Sequence, residues 1–352
     1  MPRVFKFFLF FAFVAAAAPI SAQTDIKGTW TAELRNARVF LQVRTTPPAD
    51  WNGERWDHDW NMGQTFPIED FAGLPANDEQ FTVSTIKFDL RREAGTLAME
   101  GAFRDGRGAG LFTFNPRAEY TAEMKSLGFS DTLPLWRRFQ LAIHDVGPKY
   151  IRALKAEGYT GTTLEEFVRT REHGVTQAYI QGMKKAGFGT ATVEDLIRTK
   201  DHGVTPEFIE EIRGLGLTLT TLEEFVRLRD HGVRAAFVQE MKTAGYDKLA
   251  ADQLVRLRDH GVSGAYVRDL AAQGFKNVPL EDVVRSKDHG VSPEYVADMK
   301  ELGFKNLTLD QIVRLRDHGI TPGFVNHAKA RGHKPESVDD LVRLKNGGLW
   351  KN

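Results

Sequence analysis

The chain has no cysteine among its 352 residues. That excludes disulfides, thiolate metal sites and cysteine nucleophiles. It also has no excess charge: Lys+Arg and Asp+Glu both number 47, for a formal net charge of zero. The basic footprint of a nucleic-acid binder is therefore missing, and no nucleic-acid partner is expected. Catalytic motifs are lacking too. There is no His-Glu-x-x-His, no Gly-x-Ser-x-Gly and no Gly-x-x-x-x-Gly-Lys, the patterns that would announce a zinc peptidase, a serine hydrolase or a phosphate-binding loop. No cofactor is implied, no metal site is expected, and the chain reads as a non-enzyme.

The longest apolar run is at the N-terminus. Arg3 and Lys6 precede the stretch Phe7 to Ala18, and Pro19-Ile20-Ser21-Ala22 supplies small residues before Gln23. This is the pattern of a secretory signal, shorter than a comfortable bilayer span. Residues 1–22 are expected to be removed, leaving a soluble, exported protein, periplasmic or secreted, with no integral membrane segment. With no cysteine at the cleavage point, the pattern is not that of a lipoprotein. An exported chain without disulfides is held by packing alone.

Residues 23–114 alternate with a period of two, the mark of half-buried strands. Thr29 to Leu34 and Val39 to Arg44 read as strands joined by a turn at Arg35-Asn36-Ala37-Arg38. Ser84 to Arg91, Thr96 to Phe103 and Gly110 to Phe114 read likewise, the last two as a hairpin turning at Asp105-Gly106-Arg107-Gly108. About five antiparallel strands suggest a small β sandwich or open barrel. Between them, Pro47 to Pro75 holds Trp51, Trp56 and Trp60 around Asp57-His58-Asp59. The tryptophans either stack on a ligand such as a glycan or fold back over the sheet. The Asp-His-Asp triplet is no metal site, because alternate side chains of extended backbone face opposite ways.

The remainder, residues 115–352, is governed by repetition. His173, His202, His231, His260, His289 and His318 recur every 29 residues, a period typical of stacked arrays. Each unit reads as two short helices. Thr221 with Glu224 forms a capping box that opens the first, and Thr163/Glu166, Thr192/Asp195, Thr308/Gln311 and Ser337/Asp340 repeat it. Gly174, Gly203, Gly232, Gly261, Gly290 and Gly319 sit where that helix needs a left-handed end. The second helix opens at Ser/Thr, often followed by Pro, carries an aromatic two residues later, and stops at a second series from Gly187 to Gly332. Helices of nine or ten residues, about 15 Å long, are marginal alone. The array is therefore an α-solenoid, and the whole chain an α+β protein of two domains. Degraded units flank it, around His144-Asp145-Val146 and at Asn346-Gly347-Gly348.

Three polar series repeat with the glycines. Four residues before each His stands an Arg, 169 through 314, and four before that an acid, so i,i+4 ion pairs on a solvated face are expected. Two residues before each His is another base: Arg171, Lys200, Arg229, Arg258, Lys287 and Arg316. These lie on the apolar stripe. Their stems should pack while the heads reach a carboxylate or helix-end carbonyls, with Asp230 or Asp259 of a neighbouring unit as candidate partner. Alternatively the heads line a groove and hold an anionic ligand. The histidines are not zinc ligands. Nitrogens sharing one zinc lie about 4 Å apart, whereas equivalent residues of stacked helices are separated by roughly 10 Å. A structural role at the helix C-terminus is expected instead.

The stretches Gly28-Thr29-Trp30-Thr31-Ala32-Glu33-Leu34, Asp105-Gly106-Arg107-Gly108-Ala109-Gly110 to Phe114, Ile143-His144-Asp145-Val146 and the Arg-Asp-His-Gly-Val repeats resemble a group of exported bacterial proteins of unassigned function. Those proteins join a β domain to tandem short helical repeats. The repeats are also similar to those on the extracytoplasmic part of some β-lactam-sensor-type membrane zinc metallopeptidases. This chain lacks their zinc motif and membrane spans, so protease activity does not carry over. The resemblance implies a sensor-like or scaffold-like role with a protein or peptide partner. Glycan or cell-wall binding through the tryptophan segment is the alternative, and a hydrolase with an unrecognised carboxylate pair a third.

Overall fold

The computed structural model describes residues 25–46, 59–75, 81–130 and 132–348. The signal-like residues 1–22, Trp51, Trp56 and the pair Asp57-His58 lie outside the described residues. The chain forms two compact units, which divide between Ala156 and Glu157. No helix among the described residues is long and apolar enough to cross a membrane.

In the first unit seven antiparallel strands form one sheet. They are β1 (Ile26–Arg35), β2 (Arg38–Thr45), β3 (Trp60–Pro67), β4 (Phe71–Ala72), β5 (Val83–Arg92), β6 (Gly95–Arg104) and β7 (Arg107–Pro116). Their order is β3-β2-β1-β7-β6-β5-β4, with β3 and β4 at the edges. This is a half-barrel, the open alternative rather than a two-sheet sandwich. Alternation decides the inward face: Val39, Leu41 and Val43 of β2 are buried, while Arg38, Phe40, Gln42 and Arg44 point out. At the centre Trp30 is buried, and its indole Nε1 donates to the carbonyls of Glu100 at 3.2 Å and Leu111 at 3.0 Å. Gly101 makes this possible, since a Cβ there would lie 2.7 Å from the Trp30 ring.

Strands β3 and β4 correct the expectation of a continuous loop over 47–75. β3 carries Gly63 and ends in Pro67, residues that are tolerated on an edge strand and blunt any alternation signal. Helices complete the unit: α1 (Tyr120–Ser126), α2 (Leu135–Ile143) and α3 (Pro148–Ala156). α2 covers the open face of the sheet. Phe139 stacks on Phe112 with centroids 5.7 Å apart and meets Phe114 edge-on at 5.4 Å. Helix α2 ends as the array helices do, with Val146 N donating to Leu141 O at 2.8 Å, but Asp145 at φ +53° stands where the repeats have glycine.

The second unit is the solenoid. Its first helices are α4 (Leu164–Glu172), α6 (Val193–Asp201), α8 (Leu222–Asp230), α10 (Ala251–Asp259), α12 (Leu280–Asp288), α14 (Leu309–Asp317) and α16 (Val338–Asn346). Its second helices are α5 (Gln177–Lys185), α7 (Pro206–Gly214), α9 (Ala235–Thr243), α11 (Gly264–Ala272), α13 (Pro293–Glu301) and α15 (Pro322–Ala330). First helices pack on first and second on second, giving two layers. All five expected capping boxes form. At the repeat best seen in the sequence, Gly232 has φ +69° and Val233 N donates to Leu228 O at 2.8 Å, the closing bond of a Schellman end. Val233 and Leu228 are both fully buried, so the turn is pinned by apolar contact as well.

Candidate functional site

The repeated polar side chains of the first helices reach into neighbouring units. The Arg series, expected to pair within its own helix, pairs across the repeat boundary. Arg169 binds Glu194 at 2.9 Å, Arg198 binds Glu223 at 2.8 Å, Arg256 binds Glu281 at 2.6 Å and Arg314 binds Asp339 at 2.7 Å. Arg227 with Asp252 and Arg285 with Asp310 continue the ladder. The guanidinium of Arg198 holds the Glu223 carboxyl below its ordinary range, chiefly through the hydrogen bond. Each rung is half-exposed, so water and salt screen it and a single rung adds little.

A second ladder runs beside it. His173, His202, His231, His260 and His289 face Asp201, Asp230, Asp259, Asp288 and Asp317 of the following unit through Nδ1. A carboxylate only accepts, so Nδ1 carries the proton in each pair. The expectation of a structural histidine at the helix end holds in place, but its partner is a side chain of the next repeat.

Those aspartates had been expected to serve the bases two residues before each His. The bases lie elsewhere. Lys200 stands 4.8 Å over the Tyr179 ring, Arg229 4.9 Å over Phe208, Arg258 5.1 Å over Phe237, Lys287 4.8 Å over Tyr266 and Arg316 5.0 Å over Tyr295. Each ring belongs to the second helix of the preceding unit. Arg171 holds the equivalent, half-buried position of α4. Each cation also lies against the preceding glycine turn: the Arg229 guanidinium is 3.0 Å from where a Cβ on Gly203 would sit. Such contacts contribute about 0.5–2 kcal/mol, more as they are desolvated.

Two further series escaped the sequence reading. Tyr179, Tyr266 and Tyr295 donate their hydroxyls to the carbonyls of Val204, Val291 and Ile320, at 2.8, 2.9 and 2.8 Å. Burial pushes the Tyr295 phenol up to about 12. Tyr179 and Tyr266 also touch the buried hydroxyls of Thr199 and Ser286, whereas Phe208 and Phe237 have Leu228 and Leu257 at those places. That pairing of hydroxyl with hydroxyl and ring with leucine is visible in the sequence as a 20-residue offset, broken at Tyr295, which has Leu315 at that place. The second series is the base at the end of the second helix. Arg213 donates to Ala186 O at 2.5 Å and Lys329 to Leu302 O at 2.7 Å, while Lys300 bonds Gln273 O. Each satisfies a helix-end carbonyl one unit back.

The outer face of the second helices is different. Ala178, Glu207, Ala236, Ala265, Glu294 and Gly323 are all exposed at one equivalent position, and Gln181, Glu210, Gln239, Arg268 and Asn326 at another. Neither series has a common chemistry.

Of the tryptophans, Trp60 lies in β3, half-buried, with its ring edge-on to Trp136 at 5.4 Å and to Phe139 at 5.6 Å. It joins the packing between sheet and α2. Beside it, Asp59 accepts from Arg44 and Thr46 at 2.9 and 2.8 Å. No protein-family model matches the chain, and the curated proteins contain no match to it.

Proposed function

We propose that the protein is a non-enzymatic, exported binding protein of sensor or scaffold type, whose helical array presents the second-helix face to a protein or peptide partner. The observation that carries this reading is the contrast between the two faces. The first-helix side chains repeat because stacking uses them: they bind the units on either side. The exposed second-helix positions change from unit to unit, and apart from Gln181, which bonds Glu157, stacking does not dictate them. A surface of varying chemistry on a uniform scaffold suits recognition of an extended partner. The absence of catalytic motifs in the sequence agrees with it.

The test is site-specific photo-crosslinking in the source cell. A crosslinking residue at Glu210, on the second-helix face, should capture a discrete protein band, and one at Glu223, on the ladder, should not. Crosslinks from Glu223 alone, or none from either, would overturn the assignment of this face.

A further inference from the structure

The turns that enter the first helices line up along one edge of the array, because each holds the same place in its repeat. Along that edge the chemistry changes half-way. The first three turns, residues 158–163, 187–192 and 216–221, contain no charged residue. The next four, 245–250, 274–279, 303–308 and 332–337, carry Lys248, Lys276, Lys305 and Lys334. Asp247 and Glu336 are the only acids in them. Stacking does not require these lysines, since the first three turns do without them. All four are exposed, and no ion pair or hydrogen bond engages their side chains among the described residues. The ladder arginines, by contrast, are each matched by a carboxylate. Two further cations reinforce the same stretch. Lys300 donates to Gln273 O and Lys329 to Leu302 O, the carbonyls that immediately precede the second and third of the basic turns.

The same turns change in apolar character. Leu249, Val278 and Leu307 stand half-buried where the earlier turns have Thr162, Ala191 and Thr220. Each of these aliphatic side chains lies within two residues of an exposed lysine. The Tyr246 hydroxyl donates to Val278 O and ties one basic turn to the next, while neighbouring units recur at the roughly 8–10 Å of packed helices. The result is a firm row of cations interleaved with aliphatic groups. That combination suits a membrane interface, where ammonium groups meet lipid phosphates and apolar side chains meet the acyl boundary. A soluble polyanion would match the charge and leave the aliphatic groups uncovered.

We propose that this edge, from Lys248 to Lys334, docks the array on an anionic phospholipid surface. The docking is peripheral, since no helix among the described residues is long and apolar enough to cross a bilayer. It uses the turns and not the second-helix face, so it goes beyond the partner assigned to that face and does not depend on it.

The test is co-sedimentation of the chain from Gln23 onward with vesicles of equal parts phosphatidylglycerol and phosphatidylcholine, at low salt. The protein should pellet with these vesicles and stay in solution with phosphatidylcholine alone. Lys276→Gln combined with Lys305→Gln should weaken binding about 25-fold, or fivefold per lysine. Lys185→Gln, which removes an exposed lysine of α5, should leave binding unchanged. Leu307→Ser, compared well below its own melting temperature, should weaken binding as well. No pelleting with the anionic vesicles, or an equal effect of Lys185→Gln and the double variant, would overturn the proposal. Unchanged binding by Leu307→Ser would reduce the edge to a polyanion surface and overturn its assignment to lipid.

Discussion

His202 and Asp230 meet across a repeat boundary, Nδ1 to Oδ1 at 2.5 Å. Both are about a third to a half exposed, so water competes for the pair. Asp230→Asn should therefore lower stability by only about 0.5 kcal/mol, read as a small drop in the urea midpoint. Replacing all five ladder aspartates together should give a loss several times larger. A single substitution that costs as much as the full set would show that the rungs are not independent.

Gly232 sits at φ +69°, with its surroundings open except for the Arg258 guanidinium. The penalty for a side chain is then conformational. Gly232→Ala should cost about 1 kcal/mol or more, and Gly232→Asn less, because asparagine tolerates the left-handed region better. Equal denaturant midpoints for wild type and Gly232→Ala would contradict the Schellman end.

Glu157 opens the second unit. Its carboxylate accepts from Lys184, Gln181 and Gln177, at 2.7, 2.7 and 3.2 Å. These bonds, Lys184 foremost, hold it at about 2, well below the ordinary carboxylate value. A depressed folded-state value adds stability above the unfolded-state value, and that stability is lost as pH falls toward about 2. Glu157→Gln should be less stable than wild type at neutral pH, and the gap should close between about pH 4.5 and 2. Denaturant titrations at neutral and acidic pH would check this. A gap that is constant with pH would mean that the carboxylate charge does not matter.

Trp136 is 1% exposed and shares the face of α2 that covers the half-barrel. Trp136→Ala should cost about 3–5 kcal/mol. The loss should appear in the near-ultraviolet circular dichroism and melting of the sheet unit. A melting temperature within a degree or two of wild type would show that the helix is dispensable to the sheet.

Much of the architecture was legible in the sequence because the signals are local. Capping boxes span three residues and Schellman contacts five, so Thr221, Glu224, Leu228, Gly232 and Val233 declare their helix without reference to any other. The ladders were misread for a definite reason. Glu194 lies four residues before Arg198 and 25 after Arg169. In a 29-residue repeat those two separations always name the same class of residue, so pattern alone cannot tell a bond within a helix from one between helices. Stacking geometry decides, and it chooses the neighbour. Asp230 is ambiguous in the same way, one residue before His231 and 28 after His202. The cover that α2 provides over the sheet had no such signal at all, because Phe139 and its partner Phe112 are linked by no period.

Identical rungs also make the chain divisible. Consider a deletion of residues 193–221, one full period. Thr192 would then precede Leu222 and cap α8 with Glu224, another Thr/Glu box. Arg169 would face Glu223, His173 would face Asp230, and Arg229 would come to rest on Tyr179, which already accepts a cation from Lys200. Lys242 would take the place of Arg213, which stands over the Phe188 ring. Such an array can change its reach by whole periods without inventing a new contact, as a chain of equal links can be shortened anywhere.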